Sequence, residues 1–108
     1  MYILISSYTA PLEAVNVQLD NHREWLRSHY EAGRILVSGR RSPINGGVIV
    51  IRAESRDEVE TLLADDPYVR HGLVSYEIYA FDETPFPHRS PAFDEFASAR
   101  LPTLRARV

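Results

Sequence analysis

The sequence predicts an α+β fold of the ferredoxin-like type, with elements in the order βαββαβ. Three observations predict it. Four short segments rich in β-branched and aromatic residues alternate with two amphipathic segments in that order. A loop carrying Pro43 and Asn45-Gly46-Gly47 separates the middle two strands at hairpin distance. Ser55 and Glu58 form a capping box that marks where the second helix opens.

The first strand is Tyr2 to Tyr8. Thr9 is expected to cap the helix that follows, with Pro11 in its first turn, where a missing N–H costs nothing. Leu12, Val15, Leu19, His22, Leu26 and His29 recur at steps of three or four, which is one face of a single helix, with Trp25 and Tyr30 flanking the stripe. Gly33 suits the left-handed position that ends a helix. Arg34 to Gly39 is the second strand and Val48 to Arg52 the third. The capping-box helix buries Val59, Leu62 and Leu63 and ends near Asp65-Asp66, because Pro67 disfavours helical geometry in the residue before it. Leu73 to Phe81 is the fourth strand, with Val74, Tyr76, Ile78 and Ala80 on one face.

Both helices are expected on one face of the sheet. Ile35 to Val37 and Val48 to Ile51 are apolar at consecutive positions, so the other face is apolar too and would be left wet in a monomer. A second copy packing sheet against sheet resolves this, and a homodimer through the open sheet face is expected. Residues 1–81 form the domain. Residues 82–108 differ in character: Pro85, Pro87, Pro91 and Pro102 punctuate them, and apolar residues alternate with Arg89, Arg100, Arg105 and Arg107. They read as an extension packing on the domain or on the partner subunit, with Ser90-Pro91 opening a short helix to about Arg100.

Composition narrows the chemistry. The 108 residues include no cysteine and no lysine; all 12 basic residues are arginines, set against 15 carboxylates for a net charge of −3. That excludes a disulfide framework, a thiolate nucleophile and a cysteine metal site, and equally a lysine Schiff base or a P-loop lysine. A net-acidic chain is a poor general nucleic-acid binder, since neutralising phosphates needs a basic face. No apolar run approaches the roughly 20 residues a membrane span requires. The N-terminal stretch lacks the positive region of a signal peptide, so a cytoplasmic setting is expected.

His22 is the most informative polar residue, because it commits a titratable imidazole to the apolar stripe of the first helix. It reads either as a satisfied core histidine or as a functional group that needs an orienting carboxylate or carbonyl. Asp66, in the break after the second helix, is the candidate partner, though it also reads as a turn residue; Asp65 beside it is an equally acidic but less constrained option. Ser38-Gly39 ends the second strand and offers a hydroxyl and a backbone N–H to a small ligand, or is simply a turn. Arg40 and Arg41 follow as a carboxylate clamp or as solvated loop charges. No Gly-x-Ser-x-Gly elbow is present. His29, His71 and His88 have no metal-ligand spacing, and His29 lies about 10 Å along the helix from His22, so no metal is expected.

These residues form a pattern. His22 in the first helix, Glu31-Ala32-Gly33-Arg34-Ile35-Leu36-Val37-Ser38-Gly39 leading into the second strand, Ala64-Asp65-Asp66-Pro67-Tyr68 and Gly72-Leu73 together resemble the YciI-like family of small dimeric α+β-barrel proteins, over about Tyr2 to Phe81. Members often carry Gly-Pro after the second strand, where this chain has Gly39-Arg40-Arg41, which changes the mouth and charge preference of a pocket there. The resemblance implies a ferredoxin-like homodimer and a His–Asp active site, carried by His22 and Asp66, doing acid–base work of the lyase, dehydrochlorinase or isomerase type. His22 would be the general base or acid and Asp66 would orient it. Ser38, Gly39 and Arg40 would hold a small anionic or aromatic substrate and Tyr68 would wall the pocket, with no metal or organic cofactor needed. The alternatives are a non-catalytic metabolite-binding or accessory module and, third, a cofactor-free oxygenase on the same architecture.

Overall fold

The structure, a computed structural model, describes residues 1–83 and 90–102. Pro85, Pro87, His88, Arg89, Arg105 and Arg107 lie outside the described residues. Four strands form one antiparallel sheet: β1 (Tyr2–Tyr8), β2 (Ile35–Arg40), β3 (Gly47–Ile51) and β4 (Val74–Ala80), in the spatial order β2-β3-β1-β4. This is the ferredoxin-like α+β arrangement expected from the sequence. Period-2 alternation puts Leu4, Ile49 and Ile51 on the helix-covered face, where they pack with Trp25, Val59, Leu62 and Leu63.

The first helical stretch departs from expectation. It is two helices, α1 (Leu12–Val17) and α2 (Leu19–Glu31), parted at Gln18, whose φ of −99° and ψ of 6° leave the helical region. Asn16 and the β-branched Val17 are weak helix formers at the break. The interruption separates the two ends of the apolar stripe. Val15 joins a small cluster with Tyr68 and Leu73, Trp25 of α2 joins the main core, and Leu12 is left 46% exposed. Thr9 does not cap α1: the residue before the helix is Pro11, which makes no side-chain cap. Thr9 instead extends the pairing of β1 with the chain ahead of β4, its N–H donating to the Leu73 carbonyl (2.8 Å) and its hydroxyl to the Gly72 carbonyl (3.1 Å).

At its far end α2 closes as expected. Gly33 takes φ +79°, its N–H donates to the Tyr30 carbonyl (3.0 Å), and the Arg34 N–H donates to the His29 carbonyl (3.0 Å). Those two bonds make a Schellman motif. The N-cap half of the capping box also forms: Ser55 accepts the Glu58 N–H (3.2 Å) at the start of α3 (Arg56–Leu63). After α3 the chain does not merely turn. Asp66 caps a four-residue helix, α4 (Pro67–Arg70), with Pro67 at its first position, where proline is already in helical geometry. Later, Ser90 caps α5 (Pro91–Ser98), accepting the Phe93 N–H (3.1 Å). Arg52 donates to the carbonyls of Phe96 (2.6 Å) and Ala99, and Arg34 to that of Pro102 (3.2 Å).

Across the uncovered face, the strand register aligns Tyr79, Ile3, Val50 and Val37 in one row spanning all four strands. Val37 is 53% exposed and Tyr79 50%. Among the described residues no helix is long and apolar enough to cross a membrane.

His29 is buried where α2 meets the second strand. The Arg34 guanidinium donates to its Nδ1 (3.2 Å), an arrangement that requires a neutral ring on that nitrogen. Burial, and then the Arg34 charge, hold His29 below the usual 6.5, with Asp65 opposing weakly. A group whose folded pKa is depressed adds stability that is fully present above its unfolded value and lost as pH falls toward the folded one. Between about pH 7 and pH 5, therefore, the melting temperature of the wild type falls more steeply than that of His29→Gln. Parallel slopes in thermal melts would remove His29 from the account of acid sensitivity.

Candidate functional site

The site is built around Asp66, a carboxylate with 0% exposure. The Asp-Pro step creates its position: as cap of α4 its Oδ1 accepts the Tyr68 N–H (3.0 Å). A buried carboxylate needs further donors. Tyr76 of β4 supplies one, its hydroxyl donating to Oδ2 (2.7 Å). His22 of α2 supplies the third: Nδ1 lies 2.7 Å from Oδ1. An ionised carboxylate only accepts, so Nδ1 carries the proton in this contact, and Nε2 is the nitrogen left for other work.

The imidazole is held by more than one bond. It stacks on Tyr68 at 3.9 Å between ring centroids and 9° between planes, and Trp25 stacks loosely at 5.8 Å. Tyr8 meets Tyr68 edge-on at 6.3 Å. The His22 side chain keeps 14% exposure, and that exposure opens onto a cavity of about 200 Å³. Burial foremost, with Tyr8 and Asp66, pushes the Tyr68 phenol up to about 12, against the opposing charges of Arg40 and Arg23. Tyr76 is pushed far above the usual tyrosine range by burial first, then by the Asp66 charge and their hydrogen bond.

One wall of the cavity is the loop between β2 and β3. The backbone at Gly46 lies so close to β1 that a Cβ there would sit 1.8 Å from the Ser6 carbonyl oxygen, so only glycine fits. The Gly47 N–H donates to the Ser6 hydroxyl (2.8 Å). Arg41 ties the loop down, donating to the Ser6 carbonyl (3.2 Å) and the Ser7 hydroxyl (3.0 Å).

His22, Ser38, Gly39, Arg40 and Tyr68 all line this one cavity, and Asp66 stands directly behind His22. Asp66, not Asp65, bonds the histidine. Ser38 shares a hydrogen bond with the Tyr30 hydroxyl (2.7 Å). Arg41 is spent on the loop, while Arg40 stays at the cavity. Tyr8, Arg23 and Tyr76 line it as well and were not singled out from sequence. For Tyr76 a signal existed: a phenol in an otherwise apolar row brings a hydroxyl that needs a partner when buried. Among the described residues, no three His, Asp or Glu side chains group so as to hold a metal ion.

The YCII-related domain matches residues 1–82. The chain belongs to the YCII-related family. Among solved structures it is similar to 5-chloro-2-hydroxyhydroquinone dehydrochlorinase (TftG) from Burkholderia phenoliruptrix AC1100, in complex with 2,5-dihydroxybenzoquinone. The TM-score is 0.60 at 23% sequence identity, over 78% of this chain and 96% of that one. At that identity the likeness is one of fold. No curated protein matches the chain.

Tyr76→Phe keeps the ring and deletes one donor to a buried carboxylate. It is expected to lower stability by about 1–3 kcal/mol, seen as a lower urea midpoint with unchanged slope. An unchanged midpoint would mean that Asp66 does not depend on this bond.

Proposed function

We propose that this member of the YCII-related family is a cytoplasmic small-molecule enzyme in which His22 and Asp66 act as an acid–base pair. The observation that carries the reading is the 2.7 Å contact between His22 Nδ1 and the fully buried Asp66, on a ring that faces the cavity. Asp66 holds the Nδ1 proton and stabilises the imidazolium that forms when Nε2 takes a proton from the substrate. The electron pair released then moves toward the adjacent carbon, and either expels a leaving group with its electrons or is reprotonated one position over. The first outcome is a lyase or dehydrochlorinase reaction, the second an isomerase reaction. Ser38 and the Gly39 backbone, which line the cavity, would hold a substrate oxygen, and Tyr68 stacks on the base. The similar fold of a dehydrochlorinase supports this class of reaction and supplies a first substrate to try, 5-chloro-2-hydroxyhydroquinone, by chloride release.

On any substrate found among such compounds, His22→Gln is expected to lower kcat about 10²- to 10⁴-fold while the circular dichroism spectrum stays that of the wild type. Turnover by a folded His22→Gln protein at the wild-type rate refutes the assignment and leaves a binding module as the better description.

The same proposal includes a homodimer joined through the uncovered sheet face. The row Tyr79–Ile3–Val50–Val37 supports it, since a single chain leaves that face in water. Sedimentation equilibrium should give twice the chain mass of 12.3 kDa. Val37→Glu, a charge placed at a position already exposed in the single chain, should return a folded monomer. A wild-type mass that stays at one chain over a wide concentration range rules the dimer out.

A further inference from the structure

We infer that the cavity selects a single-ring oxyanion, a flat body bearing one carboxylate or enolate group, gripped at the mouth by Arg23 and Arg40. The inference rests on the cavity being a substrate site and adds the class of ligand.

Arg23 follows His22 on α2, and Arg40 is the last residue of β2, so two separate elements bring guanidinium groups to one opening. Both are exposed, and neither has an ion pair or side-chain hydrogen bond to another described residue. The contrast with other arginines is informative. Arg27 and Arg56 are paired with glutamates one helical turn away. Arg34, Arg41 and Arg52 are committed to backbone carbonyls. Arg70 and Arg100 are likewise exposed and without such a partner among the described residues, but of these four only Arg23 and Arg40 line the cavity, and a guanidinium fork matches a planar carboxylate two bonds at a time.

The surroundings favour an anion further. No aspartate or glutamate lines the cavity, and the carboxylate behind it, Asp66, is fully enclosed with three donors already on it. Both arginines act on the Tyr68 phenol, so their charge reaches the ring stacked on His22. The ligand's body is set by the remaining walls. Leu19, Leu26 and Ile49 are apolar, and the space of about 200 Å³ is of the order that holds one benzene-sized ring, for which about 150 Å³ suffices. A ligand meeting both demands places its ring against the aliphatic wall and the His22–Tyr68 stack, with its oxyanion turned out to the arginines. That orientation leaves the ring carbons facing His22.

The test is a titration of the full-length protein, followed through the His22 and Tyr68 amide resonances, with benzoate, with its neutral isostere benzamide, and with inorganic phosphate. Benzoate is expected to bind at least about tenfold more tightly than either, a difference of about 1.4 kcal/mol. Arg23→Gln and Arg40→Gln should each weaken benzoate about five- to tenfold and leave benzamide unchanged, while Arg56→Gln, on an exposed face of α3, changes neither. Added sodium chloride should weaken benzoate and leave benzamide unchanged. The inference is overturned if benzoate and benzamide bind alike, if phosphate matches benzoate, if the arginine variants weaken both aromatic probes equally, or if benzoate does not bind by about 20 mM. Because binding is read without turnover, the two readings separate. Charge-selective binding with no dependence of turnover on His22 leaves the anion site and removes the acid–base pair. His22-dependent turnover of neutral compounds without benzoate preference does the reverse.

Discussion

A carboxylate with no exposed surface dictates the shape of this site. Left alone in the interior, an ionised Asp66 would be several kcal/mol too costly to keep, about the whole stability of a small domain. Three donors meet it, and they come from three elements: the Tyr68 N–H of α4, the Tyr76 hydroxyl of β4 and the His22 imidazole of α2. Satisfying one charge therefore ties the first helical layer, the short helix and an edge strand to a common point. The histidine is positioned as a consequence. Its tautomer follows from what the carboxylate accepts, its plane from the Tyr68 ring beneath it, and its free nitrogen from what remains.

Much of this was legible in the residues, and the parts that were not share a cause. Strand and helix order follow from period-2 and period-3.6 patterns, and local chemistry marks the ends: Gly33, Ser55 and Ser90 terminate or cap where their types predict. The break at Gln18 was not legible, because an apolar stripe continues across it in the right phase while two weak helix formers and separate packing partners divide it. Thr9 illustrates the same limit. A threonine before a proline-led helix is a good cap in isolation, yet the carbonyl of Gly72, 63 residues away, takes its hydroxyl. Tertiary partners overrule local preference in both places.

The cavity shows the division more finely. His22 and Asp66 stand out in sequence because each is out of keeping with its neighbours, an imidazole on an apolar face and an acid before proline. Tyr76 stands out only as a phenol in an otherwise apolar row, which names no partner, and Arg23 fits the polar flank of a helix. Only the register of β4 against β1, which sets Tyr76 opposite Ser6, and the proximity of α2 to the end of β2 give them a role. Spacing reveals which side chains share a face of one element. What two elements bring together depends on the packing between them.

The arginine-only composition then acquires a physical meaning. In a net-acidic chain the basic side chains divide by environment. Some cap buried carbonyls, some pair with glutamates on helix surfaces, and Arg23 and Arg40 face the cavity. Arginine suits each task for the same reason: it stays charged at any pH the fold survives, so a cation placed against a carbonyl or at a pocket mouth does not vanish by deprotonation. At the cavity this separates two functions that a lysine or a second histidine would mix. On the proposed reading, attraction of an anion falls to groups that do not titrate, and proton transfer to the imidazole of His22. In the proposed reaction the cations at the mouth keep their charge while the imidazole takes a proton and later returns it.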